Sequence, residues 1–134
     1  MPTEVEKRLH RCCFSGHRPE KLDEPEEVVK EWLGAQIDAA IHAGYRTFLC
    51  GMGMGVDIWA GQIVVDRRGK EPSLGLRLVC AVPWPAFANR WSLEWKEQYS
   101  ALLQAADLVV PVSHQYTDEV FRKRKSDLWI IPPA

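Results

Sequence analysis

The sequence predicts a three-layer α/β sandwich of Rossmann-like type, with a mainly parallel sheet of about five strands. Three observations lead there. Short apolar runs alternate with longer amphipathic segments, and the connections between them are short. In addition, Leu76 to Val82 (LRLVCAV) is almost continuously apolar, as in a strand covered on both faces. With 134 residues and no internal repeat, low-complexity tract or linker, the whole chain, 1–134, reads as one domain.

Each element has its own signal. Arg11 to Phe14 (RCCF) is short, β-prone and stopped by Ser15-Gly16. From Pro25 to Ala43, residues Val28, Val29, Trp32, Leu33, Ile37, Ala40 and Ile41 recur at helical spacing. Glutamates open that stretch and Gly44 lies just past its end, which suits the helix dipole and the C-terminal turn. Tyr45 to Cys50 (YRTFLC) is a second strand, ended by Gly51. A second helix is expected from Val56 or Asp57 to about Arg68, carrying Trp59, Ile63 and Val64, and GKEPSLG after it reads as a loop. After Leu76 to Val82 come the loop PWPAFANRW and a third helix from about Ser92 to Ala105. Asp107 to Val112 is a fourth strand, Asp118 to Lys125 a short helix, and Asp127 to Ile131 a fifth strand.

Composition narrows the function classes. Lys plus Arg number 17 against 18 Asp plus Glu, a formal charge of -1, so a polyanion-coating protein is not expected. No apolar stretch approaches the roughly 20 residues that span a bilayer. The start, MPTEVEKRLHR, lacks the apolar core of a signal peptide, and a cytoplasmic protein without membrane contact is expected. Cys12, Cys13, Cys50 and Cys80 show neither CxxC nor zinc-ligand spacing, and all fall in strand-like runs. They read as small buried hydrophobes, with no metal site implied.

In open parallel sheets, ligands bind beyond the carboxyl ends of the strands. Four loops meet that condition, beginning with Ser15, Gly16, His17, Arg18 and Pro19. The second is Gly51, Met52, Gly53, Met54, Gly55, Val56 and Asp57, the third runs from Pro83 to Trp91, and the fourth from Ser113 to Tyr116. In the second, glycine at alternate positions between strand and helix permits a tight turn and close approach of a ligand to backbone. The helix start behind it offers free N–H groups to an anion. The spacing is neither G-x-G-x-x-G nor a Walker loop. Asp57 is either a helix-capping acid or a ligand contact. In the first loop, His17 titrates near neutrality and Arg18 offers a fork for phosphate or carboxylate, or pairs with a nearby acid. Trp84 stacks on a base or covers the sheet end, and Arg90 is placed to reach a phosphate. Trp91 and Trp95 fit helix core. The run Arg122 to Lys125 reads as a solvated face.

CCFSGHRPEKL, FLCGMGMGVDIWAG and the later VPWP, NRW and SDL elements together resemble the YpsA/YspA-like branch of the SLOG superfamily, relatives of LOG and DprA, over essentially the whole chain. The resemblance implies a Rossmann-like domain that binds nucleotides or nucleotide-derived ligands such as ADP-ribose or NAD, and it establishes no cofactor beyond such a ligand. It carries over onto Gly16, His17, Arg18, Pro19, Gly51, Gly53, Gly55, Val56, Asp57 and Trp59. Relatives such as LOG cleave an N-glycosidic bond using a PGGxGTxxE motif that is absent here. An enzyme of that class would draw on Asp57 and His17 as candidate catalytic groups, and a DprA-like role would bind single-stranded DNA through Arg122 to Lys125 and exposed Trp. Similar proteins continue past the SDL strand into a further loop and helix, so the domain is expected to be shortened at its C-terminus. A homo-oligomer, a dimer covering Leu128, Trp129, Ile130 and Ile131, is the corresponding expectation.

Overall fold

A computed structural model describes residues 11–14, 24–83, 86–111 and 128–130. Five strands are β1 (Arg11–Phe14), β2 (Thr47–Cys50), β3 (Arg77–Val82), β4 (Leu108–Pro111) and β5 (Leu128–Ile130). Three helices, α1 (Glu26–His42), α2 (Val56–Lys70) and α3 (Leu93–Ala105), alternate with the first four, and a 3₁₀ turn covers Pro72–Leu74.

All strand pairs are parallel, in the order β4-β3-β2-β1-β5. The first four strands step outward in one direction, so right-handed crossovers place their connecting helices on a single face. Packing agrees, since α2 lies between α1 and α3 and rests on β1, β2 and β3. Cys12, Phe48, Cys50, Leu78 and Cys80 point into this interface, where they meet Leu33 and Ile37 of α1, Trp59 and Val64 of α2, and Leu102 of α3. Alternate residues face the other way, and there Cys13, Leu49 and Ala81 are buried too. β1, β2 and β3 thus carry buried residues on both faces, whereas β4 at the edge leaves Leu108 and Val109 exposed.

Gly61 sets the spacing between α2 and α3. A Cβ at that position would stand 2.7 Å from Leu102 Cδ2 and 3.4 Å from Cys50 Sγ. The same interface carries a hydrogen bond from Gln62 Nε2 to Gln98 Oε1 at 3.0 Å.

The elements depart from the sequence expectation in four places. α2 runs on through Gly69 and Lys70, and the rest of GKEPSLG forms the 3₁₀ turn instead of an open loop. Basic side chains anchor that last turn. Arg67 Nε donates to Asp38 at 2.8 Å, Lys70 pairs with Asp66 at 3.1 Å, and Arg68 donates to Asp107 at 2.7 Å and to the Ala105 carbonyl at 2.8 Å. They accompany an interior glycine that by itself costs about 1 kcal/mol. Asp107 precedes its strand, where its carboxylate accepts the Leu78 N–H at 2.7 Å. β2 begins at Thr47; the Arg46 carbonyl just before it accepts the Arg77 N–H at 2.8 Å, while Arg46 Nη1 turns back to donate to the Ile41 and Tyr45 carbonyls. Val28, expected on the apolar face of α1, is exposed, since the buried stripe is Val29, Leu33, Ile37 and Ala40. The expected helix from Asp118 to Lys125, with the basic run inside it, lies outside the described residues.

Candidate functional site

The loop after β2 leads directly into α2, and its backbone is unusual at two points. Met52 adopts φ 65°, the left-handed region that non-glycine residues seldom enter, and Gly55 has φ 93°. Met52 nevertheless has a fully buried side chain within the core cluster. Burial of that thioether holds the strained backbone in place, and what Met52 lends the loop surface is main chain. Gly55 is the residue before the first helical turn, a position where its positive φ would strain any side chain.

Asp57 organises this turn. It does not cap its own helix, since α2 has no side-chain cap. Instead Oδ2 reaches back to accept the Gly53 N–H at 3.1 Å. A Cβ on Gly53 would lie 2.8 Å from that oxygen, so glycine at 53 is required by the carboxylate. The other oxygen, Oδ1, has essentially no accessible surface and no hydrogen-bond partner among the described residues. Buried acceptors in native proteins are nearly always satisfied, which makes this one a marked exception. Burial drives the Asp57 carboxyl up to about 7, and the single hydrogen bond from Gly53 only partly opposes it.

Beneath the loop, Cys50 Sγ donates to the Asp57 carbonyl at 3.1 Å and lies 3.7 Å from Met52 Sδ. Its thiol is held well above the usual range, first by the hydrogen bond with Cys80, then by burial and the nearby Asp57. All four cysteines are buried. No group of three or more His, Cys, Asp or Glu suited to a metal occurs among the described residues.

Aromatic side chains flank the start of α2. Trp59, almost fully buried, sits 6.0 Å from Trp95 between ring centroids, and the Lys30 ammonium lies 5.4 Å from the Trp59 ring centre. Trp91 meets Phe87 at 5.3 Å and Tyr99 at 5.5 Å in edge-on contacts. Half-buried Trp91 and Trp95 therefore belong to the α3 packing layer, where the sequence put them.

Of the expected site residues, Gly51, Met52, Gly53, Met54, Gly55 and Asp57 stand together at the carboxyl end of β2. Arg90 is exposed in the turn before α3. Ser15, Gly16, His17, Arg18 and Trp84 lie outside the described residues, as do the side chains of Leu128, Trp129 and Ile130 and the whole of Ile131. The strand order reverses between β1 and β5, so the glycine loop stands one strand from that switch point. Sequence reasoning missed the Asp57–Gly53 contact and the Lys30–Trp59 pair. A four-residue spacing from glycine to acid was the available signal for the first, and the second joins segments far apart in the chain.

Comparison with known proteins bears on this site directly, because a model of the YspA SLOG family matches residues 12–132, glycine loop included. The chain belongs to the YspA SLOG family. A UPF0398 protein of Bacillus pumilus is similar at 28% identity over 125 residues, which is 88% of this chain and 66% of that relative. The UPF0398 protein YpsA of Bacillus subtilis is 24% identical over 125 residues, covering 88% of this chain and 68% of its own length. A Staphylococcus haemolyticus UPF0398 protein shares 23% over 112 residues, 83% of this chain and 59% of the relative. This YspA SLOG chain thus spans roughly half to two thirds of the length of such relatives. No described helix is long and apolar enough to cross a membrane.

Proposed function

We propose that this YspA SLOG chain is a cytoplasmic binding or sensor domain for a nucleotide or nucleotide-derived ligand of the ADP-ribose or NAD kind, held at the loop after β2. One observation carries the reading. A glycine-rich turn at the carboxyl end of a parallel strand opens a helix without a side-chain cap and holds a buried carboxylate oxygen in need of a donor. Thermal-shift measurements with ADP-ribose, NAD, cyclic nucleotides and nucleoside monophosphates test it. A stabilising shift from at least one is expected, and none from any of them, with folded protein, would sink the proposal. Self-association belongs to the same proposal, since apolar β5 forms an edge of the sheet. A strict monomer by light scattering would remove that part.

A second reading is favoured by the Asp57 carboxyl, raised to about 7 and so poised to exchange a proton near neutrality. On it, the chain hydrolyses an N-glycosidic bond of a nucleotide. Release of free base, lost in Asp57→Asn, is the required result, and absence of turnover leaves the binding module.

A further inference from the structure

We infer that a second site lies at the amino end of the sheet, where Arg46 takes the carboxylate of a small aliphatic acid. A cleft of about 550 Å³ opens there between the C-terminal ends of α1 and α2 and the 3₁₀ turn, with Arg46, Arg67, Lys70 and Glu71 among its lining residues. That volume is in the range that holds small ligands. The cleft stands at the opposite edge of the sheet from the glycine loop, apart from the nucleotide site proposed above. Arg46 is pinned at both ends. Its carbonyl accepts the Arg77 N–H at 2.8 Å, and its half-buried side chain donates through Nη1 to the Ile41 and Tyr45 carbonyls at 2.7 and 2.9 Å. Those bonds close the end of α1 and use one nitrogen of the fork. Nε and Nη2, the edge that grips a carboxylate side-on, have no partner among the described residues.

The neighbouring arginine shows what this edge takes. Arg67, in the same cleft, sets Nε 2.8 Å from Asp38 Oδ1 and Nη2 3.3 Å from Asp38 Oδ2, and sends Nη1 to Asp66 at 2.7 Å. Lys70 also pairs with Asp66, at 3.1 Å. Both cations are thereby matched within the chain. Arg46 has carbonyl partners but no carboxylate among the described residues, so its full charge stays uncompensated in half-buried surroundings. The Glu71 side chain, exposed on the rim, also lacks a partner among them and carries the opposite sign. A singly charged carboxylate balances Arg46, whereas a doubly charged phosphate would bring a second charge for Glu71 to repel. Ile41 and Leu74, half-buried against the core, give the cleft an aliphatic wall. Planar fork, single surplus charge and aliphatic wall together specify a short alkyl carboxylate. Because Arg46 is already held by its main chain and by Nη1, little side-chain freedom remains to be lost on binding.

Titration of the full chain with acetate, butyrate, butyramide and inorganic phosphate at constant ionic strength, followed in proton–nitrogen NMR spectra, tests the inference. The Arg46 Nε–H signal is the one missing from Arg46→Lys. Butyrate should move that signal saturably, bind about threefold or more tighter than acetate, and bind about tenfold or more tighter than neutral butyramide. Arg46→Lys keeps the charge but loses the fork, so backbone amide shifts at Ile41, Lys70 and Leu74 should report butyrate binding weakened about tenfold. Equal binding of butyrate to wild type and Arg46→Lys would overturn the role of the fork, and butyramide matching butyrate would overturn the need for an anion. Phosphate binding that butyrate cannot displace would overturn the choice of a carboxylate. No saturable shift with any probe sinks the whole inference and leaves the nucleotide reading untouched. Should Arg46→Lys fail to fold, the wild-type comparison of butyrate with butyramide, read on the same backbone amides, decides.

Discussion

Replacing Asp57 by asparagine should make the protein more stable above neutral pH, although it alters the loop proposed to bind ligand. In the folded chain the carboxyl titrates at about 7, because burial penalises its charged form and Oδ1 has no partner. In the unfolded chain it titrates near 4, the ordinary value for aspartate. Since the folded value is the higher, the folded state holds the proton where the unfolded state has released it. Stability from this group is fully present below about pH 4, falls by about 1.4 kcal/mol per pH unit as pH rises, and is exhausted above about pH 7. The whole effect amounts to about 4 kcal/mol, an upper figure because hydration of the loop would soften the burial. Asparagine carries no such titration and can still accept the Gly53 N–H. Urea unfolding of wild type and Asp57→Asn at half-unit steps from pH 4 to 8.5 reads the difference directly. The stability gap should widen in favour of the variant across that interval and flatten above pH 7. A gap that stays constant with pH, or widens in favour of the wild type, would refute the account of Asp57 as a carboxyl with one buried, unpartnered oxygen.

Gly61→Ala should destabilise by about 1–3 kcal/mol in denaturant unfolding, because its Cβ would sit 2.7 Å from Leu102 while the helix-propensity gain recovers only part of that. Unchanged stability would show that α2 and α3 are not in close contact there. Asp107→Ala should cost about 2 kcal/mol by removing the acceptor for the Leu78 N–H and the Arg68 guanidinium, whereas Asp107→Asn should retain much of it. Comparable losses in the two variants would argue that charge, not the Leu78 hydrogen bond, is what matters. Cys12, pushed up to about 12 by burial beside Cys13, and Cys50, also raised, should resist iodoacetamide in the native protein at pH 8. All four thiols should react in urea, and rapid native labelling of Cys50 would contradict its place in the core.

How much could be read in advance depended on whether a feature is local. The helical stripe Val29, Leu33, Ile37, Ala40 and the strand LRLVCAV announce themselves by periodicity, and both form as expected. The end of α2 did not, since it is fixed by partners such as Asp38 and Asp107 that lie about 29 and 39 positions away in the chain. Strand order likewise depends on which faces meet, which no single strand encodes. At the glycine loop, GMGMGVD marked a ligand-scale turn, but the role of Asp57 was open between capping and contact. The fold settles its local task, holding the Gly53 N–H, because only the turn geometry brings residues 53 and 57 within reach. The strain at Met52 was invisible for the same reason, as nothing in its side chain foretells φ 65°.

The strand order has a consequence for how the chain assembles. β1, β2 and β3 each pair with the strand next in sequence, so three crossovers of similar length build the helix-covered face. β5 is different, for its Leu128 pairs with Cys12, more than a hundred positions earlier. Three residue pairs hold it, as three hold β1 to β2, but the segment they tie down is the most distant in the chain. The sheet is therefore asymmetric, with a ladder of sequence neighbours from β1 to β4 and, at its other edge, one strand drawn from far along the chain.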